Sequence, residues 1–383
     1  MKRMVLTTLV LGLFFSAQLA LADWTAPRHI TWVGQSGDAK IVADSSGKIH
    51  VVWVNNAPGN NEIYYKRSED GGTTWSASQR LTWHSAESRS PAIAIDSSGT
   101  INIVWTDRRS GNGEIYHRAS TDGGVTWTTP KRLTWTSGSS VVPSITIDAD
   151  DMIHVVWADY TPGVTDIFYK RSTTPGGTAW NSAKRLSWTS DYSEVPAIAA
   201  ISSSGILVVW ADYTPDHVSP DLYIKRSTDG GATWTTSKRM TWTSGYSFNP
   251  AMAIDSSDII HLVWSDWGEL KPGIYHKSSQ DGGSAWSAIE NVTLRSGAFP
   301  SIAIDSNSHI HLAWDELTEK SRRDIFYQKS TDGGSTWTTF ERVTWTSTMN
   351  TEFGCAMAID PSNTIHLVWD DYWDHRIYYI KSK

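Results

Sequence analysis

A unit of about fifty residues recurs along this chain, and a repeat of that length decides the fold class before any other feature. It runs Pro-x-Ile-Ala-Ile-Asp, a Ser-Ser-Gly turn, Ile-His-Val-Val-Trp-x-Asp, a variable loop, Glu-Ile-Tyr-Tyr-Lys-Arg-Ser, an Asp-Gly-Gly-x-Thr-Trp turn and Arg-Leu-Thr-Trp. One tryptophan marks the second segment of each copy: Trp53, Trp105, Trp157, Trp210, Trp264, Trp314 and Trp369. Another ends the last segment at Trp32, Trp83, Trp135, Trp188, Trp242 and Trp345, with Leu294 standing in once. The repeat thereby explains nearly all of the 22 tryptophans.

Each unit holds four short runs rich in Ile, Val, Tyr and Trp, separated by Gly, Ser, Asp and Pro, which is the pattern of strands and turns. Ile-Ala-Ile and Val-Val-Trp are apolar on both faces, as in a sheet covered on both sides. A small sheet of that kind needs a neighbour on each side, and radial stacking into a closed ring supplies them. The seventh copy stops after its third strand, Ile377 to Lys383. Its missing fourth strand lies at the other end, where Trp24–Trp32 matches Trp127–Trp135 almost position for position. The expected fold is therefore all-β: a seven-bladed β-propeller of four-stranded antiparallel blades over residues 23–383, with 23–32 joining 352–383 as the closing blade.

Residues 1–22 read as a secretory signal: Lys2 and Arg3, an apolar run from Val5 to Leu21, and the small-x-small site Ala20-Leu21-Ala22. The mature chain is expected to begin at Asp23 and to be periplasmic or secreted, without a transmembrane anchor. The single cysteine, Cys355, sits in an apolar strand pattern and reads as a structural thiol, so no internal disulfide is expected. The formal charge of −7 and the absence of a basic run argue against nucleic acid or anionic membrane as partners.

The turn Ser68-Glu69-Asp70-Gly71-Gly72-Thr73-Thr74-Trp75 resembles the Asp-box, or bacterial neuraminidase repeat. It recurs with Asp122 and Trp127, Asp229 and Trp234, Asp281 and Trp286, and Asp332 and Trp337. The third copy, Ser172 to Trp180, is one residue longer and has no Asp. The resemblance implies a sialidase-superfamily propeller, in which this turn is scaffolding remote from the active face. Local chemistry agrees: Asp folds onto turn amides, the glycines accept positive φ, and Trp packs on the blade.

Function is expected on the opposite rim, where the loops vary. The loops after the second strands open with Asn55, Asp107, Asp159, Asp212, Asp266, Glu316 and Asp371. Two readings are open. Each carboxylate caps its own loop, or the ring offers acceptors for sugar hydroxyls or ligands for a cation such as calcium, which no further feature indicates. Tyr160, Tyr213, Trp267, Tyr372 and Trp373 lie beside them, and Trp267 and Trp373 fall outside the repeat pattern. An aromatic face flanked by Asp docks a pyranose by stacking and hydrogen bonding, although such residues also simply cover loops. His50, His154, His261, His311 and His366 recur once per blade, too far apart for a metal, and read as structural.

The resemblance also implies what a sialidase would carry: an arginine cluster, a Tyr nucleophile backed by Glu, and an Asp acid, on six blades. Its Arg-Ile-Pro motif is not matched by Ala26-Pro27-Arg28-His29-Ile30. Arg89, Arg108, Arg109, Arg295, Arg322, Arg323 and Arg376 lie on the variable rim without a spacing that gathers them. The repeat is broken chiefly at Leu294, in the Asp315–Asp324 loop and at Asp370–Asp374, which give no evident triad or dyad. No catalytic residue or cofactor is assigned. The expected function is a non-catalytic, lectin-like propeller for glycan or glycoprotein. A sialidase-like glycoside hydrolase and a protein-interaction scaffold are the alternatives.

Overall fold

Four segments per repeat become four strands. In blade 1 these are Ser36–Ala43, Ile49–Asn55, Glu62–Ser68 and Gln79–Arg80, joined in sequence order. The same order recurs in blade 2 (88–132), blade 3 (140–185), blade 4 (193–239), blade 5 (247–291) and blade 6 (297–342). The computed structural model describes residues 23–383 apart from 162, 202–203, 214–218, 243–244, 269–271, 294–295, 319–321, 346–351 and 372–373. The proposed signal segment, Leu294, Tyr372 and Trp373 lie outside the described residues.

Blade 7 is made from both ends of the chain. Its strands Glu352–Ile359, Ile365–Asp371 and Arg376–Lys381 are completed by Arg28–His29, with Arg28 opposite Tyr379 and His29 opposite Tyr378. A bridge between Trp24 and Ser382 extends the seam. The seven four-stranded sheets and the closing strand match the expectation from sequence.

The first strands of neighbouring blades touch one another, so they line the axis and the two-residue fourth strands form the periphery. Second strands are buried along their whole length in blades 1 to 5, because a radial sheet has a neighbour on either face. Each core layer is shared by two blades. Val52, Ile63, Tyr65 and Leu81 of blade 1, for instance, pack with Ile101, Ile103 and Trp105 of blade 2. The second-strand histidines serve this packing: His50, His154, His311 and His366 each meet a third-strand tyrosine hydroxyl at 2.7 Å.

Each first strand carries a β-bulge near its variable-rim end, as between Gly37 and Lys40. The bulged residue has positive φ at Asp38, Ser90, Val142, Val195, Asn249, Phe299 and Gly354. For Val142, Val195 and Phe299 that backbone is strained, at a cost of about 1–3 kcal/mol each. Proline follows in five copies (Pro91, Pro143, Pro196, Pro250, Pro300), where the missing amide suits the broken ladder. These bulges face the axis: those of blades 1, 4, 5, 6 and 7 line a cavity of about 300 Å³.

Candidate functional site

One face of the ring is self-contained. In blade 1 the Asp70 carboxylate accepts from the Thr74 amide at 2.7 Å, the Thr74 hydroxyl at 2.7 Å and the Ser68 hydroxyl at 2.8 Å, while Ser68 Oγ accepts from the Gly72 amide at 2.7 Å. The Thr74 amide and hydroxyl hold Asp70 well below the usual carboxylate range. Asp122, Asp229, Asp281 and Asp332 bond their turns in the same way. Gly72 has φ +79°, and a Cβ there would overlap the Tyr379 hydroxyl of the neighbouring blade. The turn tryptophans meet that neighbour edge-on: Trp75 to Tyr379 at 5.1 Å, Trp127 to Tyr65 at 5.0 Å and Trp234 to Tyr169 at 4.9 Å. Trp286 donates to its own Gly283 carbonyl at 3.0 Å, and Trp337 stacks edge-on against His276 at 5.6 Å. In the third copy Thr174 stands in for Asp, contacting the Thr178 hydroxyl at 2.6 Å and accepting from the Ala179 amide at 3.2 Å.

On the opposite face two readings are open for the carboxylates after the second strands, and in the structure they turn inward and bond their own loops. Asp107, Asp159, Asp212, Asp266, Glu316 and Asp371 are all buried. Four of these side chains accept from the fully buried indole N–H two residues back along the strand. Asp159 accepts from Trp157 Nε1 at 3.0 Å, the Ser140 hydroxyl at 2.7 Å and the Thr161 amide at 2.9 Å. Asp107, Asp212 and Glu316 take the corresponding indole at 2.9, 2.9 and 3.1 Å. Asp266 accepts from Ser247 at 2.8 Å and the Gly268 amide at 3.0 Å. Asp371 accepts from the Asp374 amide at 3.3 Å, and Asn55 from the Ala57 amide at 2.7 Å. Burial raises Asp107, but bonds from Arg109 and Trp105 outweigh it and leave the carboxyl below its usual value. Among the described residues no such cation bonds Asp212, and burial pushes it up to about 6.

With the carboxylates turned inward, the aromatic side chains are what the rim presents. Trp267 is 52 % and Tyr160 41 % exposed, and Tyr213 is partly open. Two further residues, overlooked in the sequence, join them: Tyr192 and Tyr246, both exposed. They sit just before the first strands of blades 4 and 5. Backbone bonds from Tyr213 N to Tyr192 O (2.8 Å) and from Trp267 N to Tyr246 O (3.1 Å) set each beside a rim aromatic of its own blade. Glu194 links the group, since Tyr160 hydrogen-bonds it and its charge acts on Tyr213. Burial raises the Glu194 carboxyl, and the Tyr160 bond opposes that rise. The result is one aromatic patch across blades 3 to 5 around a half-buried carboxyl. The signal that could have exposed it is the residue before each strand-opening serine: Glu87, Ser139, Tyr192 and Tyr246 in blades 2 to 5.

The axial cavity holds a second unrepeated feature. The residue after the marker tryptophan is Val54, Thr106, Ala158, Ala211 or Ser265 in blades 1 to 5, but Asp315 and Asp370 in blades 6 and 7. Asp370 lines the cavity with Asp38, Lys40 and Cys355. Burial, with the Asp38 charge adding to it, pushes Asp370 up to about 7. Asp315 is fully buried, and burial lifts it to about 6 despite the Arg323 guanidinium at 2.9 Å. Of the rim arginines, Arg109 is committed to Asp107 and Arg89 to Glu87.

No family model matches the chain. Among curated proteins it is 28 % identical over 257 residues to the xyloglucanase Xgh74A of Acetivibrio thermocellus, a match covering 56 % of this chain and 28 % of that protein. The chain therefore spans under a third of that relative. Among solved structures it resembles an ulvan lyase of polysaccharide lyase family PL25 bound to -[GlcA(1-4)Rha3S]- (TM-score 0.62, 11 % identity, 92 % of this chain and 95 % of that one). It also resembles the Hadza microbial sialidase Hz136 (TM-score 0.56, 16 % identity, 91 % of this chain and 66 % of that one). The intramolecular trans-sialidase of Ruminococcus gnavus is similar too (TM-score 0.53, 12 % identity, 93 % and 96 %). This chain shares the propeller fold of these carbohydrate-active proteins. Among the described residues no helix is long and apolar enough to cross a membrane.

Proposed function

We propose that this chain is an exported, non-catalytic glycan-binding propeller whose sugar site is the aromatic patch of the variable face. The observation that carries the reading is the exposure of Tyr160, Tyr192, Tyr246 and Trp267 around Glu194, while the neighbouring rim carboxylates are internal. Rigid aromatic rings with a few fixed polar groups suit the apolar face and hydroxyls of a pyranose. The propellers that share the fold include a lyase and sialidases by their descriptions, which supports a carbohydrate ligand. The rim set offered by the sequence contributes to this proposal unevenly. Tyr160, Tyr213 and Trp267 are the contact residues, and Asp107, Asp159, Asp212, Asp266, Glu316 and Asp371 hold the loops that carry them. The test is a glycan array with Trp267→Ala and Tyr213→Ala. Binding to a coherent glycan group that falls about tenfold or more in the variants supports the patch. Binding that neither variant weakens removes it.

A second reading, a glycan-cleaving enzyme, draws on Asp370 alone, a carboxyl raised toward neutrality beside an axial cavity. Release of reducing sugar or unsaturated ends from a glycan panel, abolished by Asp370→Asn, would favour it over binding alone.

A further inference from the structure

The tryptophans that end the outer strands are the most exposed aromatic side chains among the described residues, from Trp32 at 59 % to Trp345 at 75 %. They recur in six of the seven blades around the outer edge of the variable face, blade 5 being the exception. Packing does not account for them, because burying a tryptophan is favourable and leaving it open forgoes that gain.

The frame beneath each ring is built. At the edge of blade 2, Leu133 N bonds Ile115 O at 2.8 Å, Thr134 Oγ1 accepts from the Ile115 amide at 2.9 Å and donates to the Glu114 carboxylate, and the Thr136 amide returns to Glu114 at 3.1 Å. After the buried Leu133 and Thr134, the Trp135 side chain is exposed. Arg132 binds Glu114 at 2.7 Å and the Thr134 carbonyl at 2.6 Å, yet its side chain stays 26 % exposed, 5.6 Å from the indole centroid. Lys170 comes from blade 3, donates to the Leu133 carbonyl at 2.6 Å and lies 5.4 Å from the same centroid. Trp83 has Arg80 and Arg118 at 6.0 and 5.9 Å, and Trp188 has Arg185 and Lys225 at 5.8 and 4.8 Å. Trp242 has Arg239 at 5.8 Å, while Lys277 reaches the Met240 carbonyl at 3.3 Å.

Blade 5 shows that the fold does not require this set. Gly273 replaces the acid, Asn291 the arginine and Leu294 the tryptophan, and Gln328 replaces the cation of the next blade. The strand pairing there is kept by the Ile274 amide on Thr293 Oγ1 at 3.0 Å and by Val292 N on Ile274 O at 2.8 Å. Acid, arginine, tryptophan and following cation are all absent in blade 5, whereas blade 6 keeps Asp324, Arg342 and Trp345 with Ile380 in place of the following cation, and blade 7 keeps Trp32 and Lys66 with Arg376 and His29 in place of the acid and the arginine.

We propose that these peripheral tryptophans are a ring of equivalent subsites for anionic pyranoses, sugars bearing a carboxylate or sulfate, with Trp83, Trp135, Trp188 and Trp242 as the complete copies. The open indole stacks on the sugar ring. Two cations against one carboxylate, itself bound within the frame, leave each subsite locally positive on a chain of net charge −7. Subsites one blade apart engage a polymer together, so weak single contacts give strong attachment. This rests on the glycan-binding reading and adds a location distinct from the blade 3–5 patch.

The test uses oligogalacturonate and a sulfated oligosaccharide as probes, with neutral xyloglucan oligosaccharide as control, read by calorimetric stoichiometry and tryptophan fluorescence. Several anionic sites per chain are expected. The triple variant Trp83→Leu, Trp135→Leu, Trp188→Leu uses the residue blade 5 already carries there, and its thermal midpoint reports folding. It should lower both the stoichiometry and, by about tenfold or more, the apparent affinity for immobilised polygalacturonate. Trp135→Phe should retain its site. Glycan binding that the triple variant leaves intact overturns the ring but keeps the patch. Silence toward all three probes and across a glycan array overturns both.

Discussion

Blades 1 to 4 and blades 5 to 7 share one strand order but fill their repeat positions differently. In the first group every copy has a third-strand acid paired with an outer-strand arginine: Arg80 with Glu62, Arg132 with Glu114, Arg185 with Asp166, Arg239 with Asp221. The second group keeps that pair in blade 6, as Arg342 with Asp324, replaces it in blade 5 by Asn291 and Gly273 and in blade 7 by His29 and Arg376, and introduces Asp315 and Asp370 on the axial side. What both groups keep is the marker tryptophan and a hydroxyl residue bonding the third-strand amide, from Thr31 on Ile377 to Thr344 on Ile325. The comparison separates what closes the ring from what is carried on it. Features found in all blades belong to folding. Those confined to one group, and costly or unneeded in the fold, belong to binding or chemistry.

The largest effect should be the same in both groups. Trp105→Ala and Trp314→Ala each empty a fully buried site, and each should cost about 3–5 kcal/mol in urea unfolding. A much smaller loss for Trp314 would mean that blades 5 to 7 are not held by the same core. Next comes the acid–arginine pair. Glu114→Ala strands Arg132 and the Thr134 and Thr136 donors and should cost about 2–3 kcal/mol, whereas Asn291→Ala in blade 5, which loses its hydrogen bond with Tyr275, should cost about 1 kcal/mol. Equal losses would erase the contrast.

Asp370 gives a pH-dependent difference. Its folded value of about 7 lies above the ordinary 3.8, so between these limits the folded state holds a proton that the unfolded chain has released. Stability therefore falls as pH rises through this window, and the loss is complete above about pH 7. Asp370→Asn cannot ionise, so its thermal midpoint should exceed the parent's by at least about 2 °C at pH 8 and match it near pH 4. A gain of the same size at both pH values would show that the carboxyl is not held protonated. The smallest stability effect belongs to the rim. Trp267→Ala should change unfolding by under about 0.5 kcal/mol while weakening glycan binding, and a large stability loss would make that ring a structural cover.

The ring and its closing strand were legible because a period near fifty residues and the displaced half-repeat at Trp24–Trp32 leave few other folds. The inward carboxylates were harder, since Trp-x-Asp states a spacing but not that the indole N–H points along the strand to the carboxyl. The outer tryptophans were hidden by their own regularity. Arg-Leu-Thr-Trp reads as another core strand, yet Leu133 and Thr134 are the buried pair and Trp135 is open. The aromatic patch needed the three-dimensional pairing of two loops that are twenty residues apart, as Tyr192 and Tyr213 are by about that much.

The most direct test of the account is a glycan array probed with the purified propeller, residues 23–383, beside its Trp267→Ala and Tyr213→Ala variants. The account predicts retention on a coherent group of glycans that both variants weaken without unfolding. Retention that is indifferent to both substitutions, or none on any glycan, would contradict it.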